Sequence, residues 1–244
     1  MTHRLLVLSF VVALTGCAAR TPPPAAAPAS AAPQATRPLT FNSWVERSVE
    51  YPALVRQVYR QATAAVERMA TGKTRGSWAV ILDADETVIS NLAFQLELER
   101  TGRVYTPILW NDWTRRRAAT PLPGAKGFLD RVRALGGRIA IVTNRLELEC
   151  ADTRAVFDAH ALVYDVMMCR PNTAPSDKNP RFAAVAAGAW QSPPAPIEVV
   201  AWLGDNILDF PGQSQALRQQ PDSAFADFGA RFFVLPNPMY GSWQ

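Results

Sequence analysis

The sequence predicts an α/β fold, a parallel sheet clad in helices with a small helical lid beside it. Three observations predict it. From residue 78 onward, short apolar runs alternate with longer segments whose apolar residues recur at helical spacing, the pattern of parallel strands joined by right-handed crossovers. The run Trp78-Ala79-Val80-Ile81-Leu82 is apolar throughout, as suits a central strand buried on both faces. It then delivers Asp83 and Asp85, and in open α/β sheets ligands sit outside the carboxyl ends of the strands. Two acids this close raise the cost of ionising both, so a metal ion, a basic side chain or both is expected beside them. A lone Asp-x-Asp could equally be a turn, with Thr87 capping the next helix; the other strand ends decide between the two.

Composition narrows the field. The chain has 244 residues and a net charge of +4, with 48% hydrophobic residues, enough for one domain with a sizeable core once the leader is set aside. Lys73, Lys126 and Lys178 are the only lysines, so Arg supplies the rest of the 25 basic residues. The basic excess is scattered apart from Arg115-Arg116-Arg117, which reads as a solvated helix face, and no nucleic-acid module is present. His3 and His160 are the only histidines, which excludes a multi-histidine zinc site and a phosphohistidine enzyme with a second catalytic His. His160 ends an expected helix, where it suits the C-terminal dipole.

Taken in order, residues 1–16 read as an export signal. Arg4 supplies positive charge, and the apolar core 5–14 is far shorter than the roughly 20 residues of a membrane span. Leu14-Thr15-Gly16-Cys17 resembles the bacterial lipobox, in which the Cys is lipidated and becomes the mature N-terminus; this implies an outer-membrane anchor through Cys17. Residues 17–40 are Ala/Pro-rich without apolar periodicity, a tether. The remaining segment, 41–244, is the folded domain. Residues 41–70 look helical, with Pro52 in a first turn, apolar residues from Leu54 to Ala70 at helical spacing and Gly72 just past the end. A second helix is expected over 92–100, stopped by Gly102, and a Trp-rich piece with Trp110 and Trp113 ends near Pro121. Segments 41–72 and 90–120 are read as the lid. Further helices are expected over 124–135, 146–160 and 179–187, and further strands over 138–142, 164–168, 197–203 and 231–235. There is no internal repeat.

Four features then stand at the ends of successive units: Asp83-x-Asp85, Thr143-Asn144, Lys178, and Asp205 with Asp209. Parallel strands bring their ends to one edge, so the set converges on one pocket. That inventory suits phosphoryl transfer. Mg²⁺ takes one or two carboxylates plus waters and a substrate phosphate. The metal and Lys178 would offset charge on the phosphoryl oxygens, and Thr143 and Asn144 can donate hydrogen bonds to them. Asp83 can attack phosphorus, while Asp85 protonates the leaving oxygen and then activates water.

Asp83-x-Asp85-Glu86-Thr87, Thr143-Asn144-Arg145, Lys178 before the fourth main strand, and Gly204-Asp205-Asn206-x-x-Asp209-Phe210 resemble the four motifs of the haloacid dehalogenase superfamily. Within it the chain is similar to the class C acid phosphatases, bacterial outer-membrane lipoproteins with four catalytic-site aspartates. The similarity runs from Trp44 onward and includes Ser48-Val49-Glu50-Tyr51, Leu122-Pro123-Gly124-Ala125 and the ending from Leu235 to Trp243. It implies a Rossmannoid sheet and a Mg²⁺-dependent phosphomonoesterase acting on 5′-nucleotides and aryl phosphates through an aspartyl-phosphate. It implies Asp83 as nucleophile and metal ligand, and Asp85 as acid/base with its backbone carbonyl toward the metal. It further implies Asp205 as a direct ligand, Asp209 holding a water on the metal or Lys178, and Tyr240 stacking on a base. One departure is Ser90-Asn91-Leu92, where the family usually reads Asp-Asn-Ser; its place near the lid bears on substrate fit.

Some alternatives stay open. The same scaffold could pass the phosphoryl group to an alcohol acceptor, or bind without turnover; the full set of four acids argues against mere binding. Tyr240 and Trp243 could instead pin the chain end onto the core. The oligomeric state, a homodimer included, and the physiological substrate are not legible. Export permits a disulfide between Cys150 and Cys169, but strict geometry favours two separate buried thiols.

Overall fold

The computed structural model describes residues 40–244. The expected export signal, Cys17 and the tether up to residue 39 lie outside the described residues. The last tether residue, Thr40, is the N-cap of the first helix: its hydroxyl accepts from the Ser43 N–H, and the Ser43 hydroxyl accepts from the Thr40 N–H.

Five parallel strands make the sheet: β1 (Trp78–Leu82), β4 (Arg138–Leu146), β5 (Val166–Arg170), β6 (Glu198–Gly204) and β7 (Phe232–Val234), in the order β5-β4-β1-β6-β7. A two-stranded antiparallel ribbon of β2 (Ile89–Ser90) and β3 (Thr120–Pro121) lies outside it. β1 is central, and all five of its residues are buried. Trp78, Val80 and Leu82 point into the larger core, with α2 (Glu50–Ala70), α5 (Ala125–Leu135) and α6 (Cys150–Ala159) on that face. Ile81 points into the smaller core, with Phe182 and Val185 of α7 (Asn179–Ala186), Trp202, Phe210 and Phe232. A strand walled on both faces has no polar side to show, which is why its sequence is unbroken apolar.

The expected helix over 41–70 is two helices, α1 (Phe41–Arg47) and α2. Ser48 is extended between them, and its hydroxyl accepts from the Tyr51 N–H, so a side chain competes with the helix ladder there. α2 is also not part of a lid. Tyr51, Val55, Tyr59, Ala62, Ala65 and Val66 form one buried stripe that lies against α5, β6 and β7, so the helix is a covering layer of the sheet. The elements beside the sheet are α1, α3 (Leu92–Thr101) and α4 (Pro107–Arg116), with α1 packed on α3.

Two strands differ from expectation. β4 runs on to Leu146 because its ladder with β5 resumes after an irregularity, with Leu146 opposite Arg170. β5 starts at Val166 rather than 164. Asp165 is spent on Arg133, Arg138 and the Ile139 N–H, and the Tyr164 ring packs edge-on against Phe157.

Cys150 and Cys169 are joined in a disulfide, with Cα atoms 6.1 Å apart, where two free thiols were favoured. The 3-10 turn Glu147–Glu149 shortens the helix that follows β4, and this sets Cys150 opposite the end of β5.

Candidate active site

The sheet order places its reversal point between β1 and β6, where chain connections leave to opposite sides. Both strands end in acids. The Asp83 N–H donates to the Leu203 carbonyl (3.0 Å), carrying the ladder one residue past β1. A tight turn follows, in which the Ala84 carbonyl accepts from Val88 and Ile89, and Glu86 adopts a left-handed φ of 51°. Gly204, the last residue of β6, makes room for the neighbouring acid: a Cβ there would lie 2.2 Å from the Asp209 Cβ. Asn206 then caps a 3-10 turn, and the Asp209 carboxylate accepts back from the Asn206 N–H (2.9 Å).

These turns bring Asp83, Asp205 and Asp209 together, with one carboxylate oxygen of each within 4.8 Å of the others. Lys178, 3% exposed, donates to Asp83 Oδ1 (2.5 Å) and Asp209 Oδ1 (2.6 Å). Asp205 accepts from Asn237 Nδ2 (2.8 Å) and from the Thr87 hydroxyl (3.3 Å). Burial pushes the Asp83 carboxyl up to about 7; Lys178 pulls the other way, while Asp209 and Asp85 push it further up. Asp205 is held well above the usual carboxylate range by burial and by Asp209 and Asp83. Burial opposes the charge on Lys178, but Asp209 and Asp83 outweigh it and hold the ammonium above its ordinary range. Three carboxylates, Asp83 and Asp209 buried and Asp205 partly exposed, face one lysine and present a surplus of hard oxygen donors. That donor set fits a divalent cation such as Mg²⁺.

Asp85 stands apart from this cluster. Its carboxylate takes the fork of Arg145, with Nε at 3.0 Å and Nη2 at 2.7 Å from Oδ1, and also accepts from Asn91 Nδ2 (2.7 Å). Its expected approach to a metal is through the backbone carbonyl, and its carboxylate is engaged by Arg145 and Asn91 instead. Arg145 is 2% exposed, lies 5.2 Å from the Trp110 ring centroid, and also donates to Thr153 and to Asn91 Oδ1. Trp113 donates to the same Asn91 oxygen (2.8 Å). The buried Glu86 carboxylate accepts from the Asn91 N–H (2.6 Å) and Nδ2, and burial, then Asp85, push it up to about 8. Asn91 therefore bears on the Asp85 carboxylate, not only on substrate fit. Sequence reading passed over Arg145, Asn91, Arg181 and Asn237 as site residues. Arg145, Asn91 and Asn237 stood inside segments already singled out, whereas Arg181 carries no local signal.

Of the three phosphate-binding candidates, Lys178 and Asn144 line the cavity beside the acids, while Thr143 is fully buried and its hydroxyl accepts from the Arg145 N–H (3.1 Å). The cavity measures about 720 Å³. Asp83, Asp85, Lys178, Asp205 and Asp209 line it, together with Tyr105, Trp110 of α4 and Tyr240 of the tail. Tyr240 is half-buried and its hydroxyl has no protein partner among the described residues. Trp243, 48% exposed, meets the Phe41 ring edge-on at 6.2 Å, so it ties the tail to α1.

A parallel sheet whose reversal point carries a buried carboxylate at the end of β1, a second acid two residues on, a lysine and a further pair of acids defines a haloacid dehalogenase-type phosphoryl-transfer protein. Residues 17–243 match the model of the HAD superfamily, subfamily IIIB (acid phosphatase), and the chain belongs to that family. It is similar to the class C acid phosphatase from Bacillus anthracis at 26% identity, over 83% of this chain and 84% of that one, with a TM-score of 0.71. A second structure of the Bacillus anthracis class C acid phosphatase, with tungstate bound, gives 28% identity over the same shares and a TM-score of 0.72. The chain is a phosphomonoesterase of the class C acid phosphatase type.

Proposed function

We propose that this phosphatase is Mg²⁺-dependent and hydrolyses small phosphate monoesters, 5′-nucleotides and aryl phosphates among them, through an aspartyl-phosphate on Asp83. The observation that carries the reading is Asp83 itself: a buried carboxylate at the end of the central strand, held between Lys178 and two further acids. Asp83 attacks phosphorus as the ester P–O bond breaks, and Asp85 gives its proton to the departing oxygen. A water then attacks the phosphorus, Asp85 takes its proton, and the P–O bond to Asp83 breaks to release phosphate. Arg145 and Asn91 hold Asp85 in place for both transfers. Lys178 and Asn144 face the phosphoryl oxygens.

Asp83, Asp205 and Asp209, with the Asp85 carbonyl, would hold the cation, which supplies positive charge to offset that on the phosphoryl group. An alcohol in place of water would make the same intermediate a phosphotransferase donor. The leader supports a lipid anchor at Cys17 and placement on a bacterial outer membrane; mass spectrometry of the mature N-terminus tests this, an unmodified terminus elsewhere refuting it. The activity itself is tested by phosphate release from nucleotides, sugar phosphates and aryl phosphates, with Mg²⁺ and with a chelator. Turnover that survives complete chelation would refute the metal dependence.

A further inference from the structure

We infer that Arg181 is a positioning residue for phosphate recognition: its guanidinium fixes the Asn144 amide so that Nδ2 faces the cavity. The inference rests on the phosphomonoesterase reading above, in which Asn144 contacts the phosphoryl oxygens. Arg181 lies in the first turn of α7, three residues after Lys178. Its Nη2 donates to Asn144 Oδ1 (2.6 Å), and its Nη1 donates to the Thr143 carbonyl.

An asparagine amide presents an acceptor on one side and donors on the other, and nothing in the residue itself chooses between them. A guanidinium carries donors only. Turned the other way, the amide would set its own N–H groups against a cation and lose the bond. Oδ1 is therefore committed to Arg181. Nδ2 has no protein partner among the described residues, and Asn144 lines the cavity beside Asp83 and Lys178. A phosphate ester offers oxygens that accept, so only the Nδ2 face is useful to it. The opposite face would set lone pairs against a dianion. α7 thus serves the phosphate twice. Its entry places Lys178 on Asp83 and Asp209, and one turn later Arg181 sets the amide at the end of the second motif.

The test uses the full chain with Mg²⁺, reading inhibition by inorganic phosphate and kcat/KM for an aryl phosphate. Asn144→Ala is expected to weaken both by roughly 10- to 100-fold, the scale of one hydrogen bond to a charged group. Arg181→Met is expected to weaken both by about 10-fold in the wild-type background, and by less than about twofold in the Asn144→Ala background. Equal losses in the two backgrounds overturn the inference, because Arg181 then acts without Asn144. Asn144→Asp guards against a folding defect: its carboxylate still accepts from Arg181 but has nothing to donate. It is expected to keep the wild-type Tm and to lose phosphate affinity at least as far as Asn144→Ala. Wild-type phosphate affinity in Asn144→Asp refutes the donor role. Arg181→Lys, able to make one of the bonds, should recover part of the Arg181→Met loss, and no recovery counts against the inference. If Asn144→Ala leaves phosphate affinity unchanged while Asp83→Asn is inactive, the inference falls and the phosphomonoesterase reading stands.

Discussion

Within a few ångströms, two aspartates separated by one residue are put to different use. Asp83 faces Lys178 and the acids after β6; Asp85 faces Arg145 and Asn91. Asp83→Asn is expected to abolish turnover with the fold intact, because an amide cannot attack phosphorus. Asp85→Asn should lose ~10²–10⁴-fold in kcat, the usual worth of general acid/base help. Steady-state rates alongside circular dichroism check both, and near-normal activity in Asp83→Asn would sink the mechanism. Metal removal has a signed consequence at the same residue. Without a cation the folded-state pKa of Asp83 is raised to about 7, above the ~3.9 of an unfolded chain. A raised folded value means stability that is full below the unfolded pKa and is lost as pH rises through about 7. A bound divalent cation removes that loss. The Tm gap between Mg²⁺-loaded and chelated protein should therefore widen from about pH 4 to pH 7. Thermal melts across that range check it, and a constant gap contradicts it.

Whole elements carry these side chains to the edge. The period of the apolar residues showed where most helices and strands lie, because each must bury one face. It did not show that 41–70 breaks at Ser48, that β5 begins at Val166, or that α2 covers the sheet; those depend on side-chain bonds and neighbours distant in sequence. The disulfide belongs to this scale. It ties the N-terminus of α6 to β5 across 19 residues. Closing a loop of that size contributes ~3 kcal/mol in the chain-entropy account. The double variant Cys150→Ser, Cys169→Ser is expected to lower Tm by roughly 5–10 °C. Calorimetry with and without a reductant checks the figure, and thiol counting on the denatured, unreduced protein should find neither cysteine free.

The cavity exists only for the whole molecule. Its walls come from α1, from the ends of β1, β4 and β6, from α3 and α4, and from the tail around Tyr240, segments up to about 200 residues apart in the chain. Tyr240 lines the same cavity as Asp83 and Asp85, and base–aromatic stacking is worth ~1–3 kcal/mol per base in single-strand binders. Tyr240→Ala should raise KM for nucleoside monophosphates much more than for a small ester without a ring. Equal effects on the two would assign Tyr240 to anchoring the tail, the role Trp243 already has through Phe41.

By itself the sequence determined the α/β class, the order of the main elements and the acids at the strand ends. Those properties are local: an apolar run bounded by Asp, Thr-Asn or Gly-Asp shows in a few consecutive residues. It also singled out Lys178, the one of three lysines placed just before the fourth main strand. Tertiary structure alone decided the strand order that sets β1 beside β6, the separation of Asp85 from the three-acid cluster, and the pairing of Cys150 with Cys169. It decided as well that Arg145, Asn91, Arg181 and Asn237 hold the site. The reason is physical. A hydrogen bond between residues 37 or 60 positions apart, as in Arg181 to Asn144 and Arg145 to Asp85, leaves no periodic trace in the chain and exists only once the sheet has brought its strand ends together.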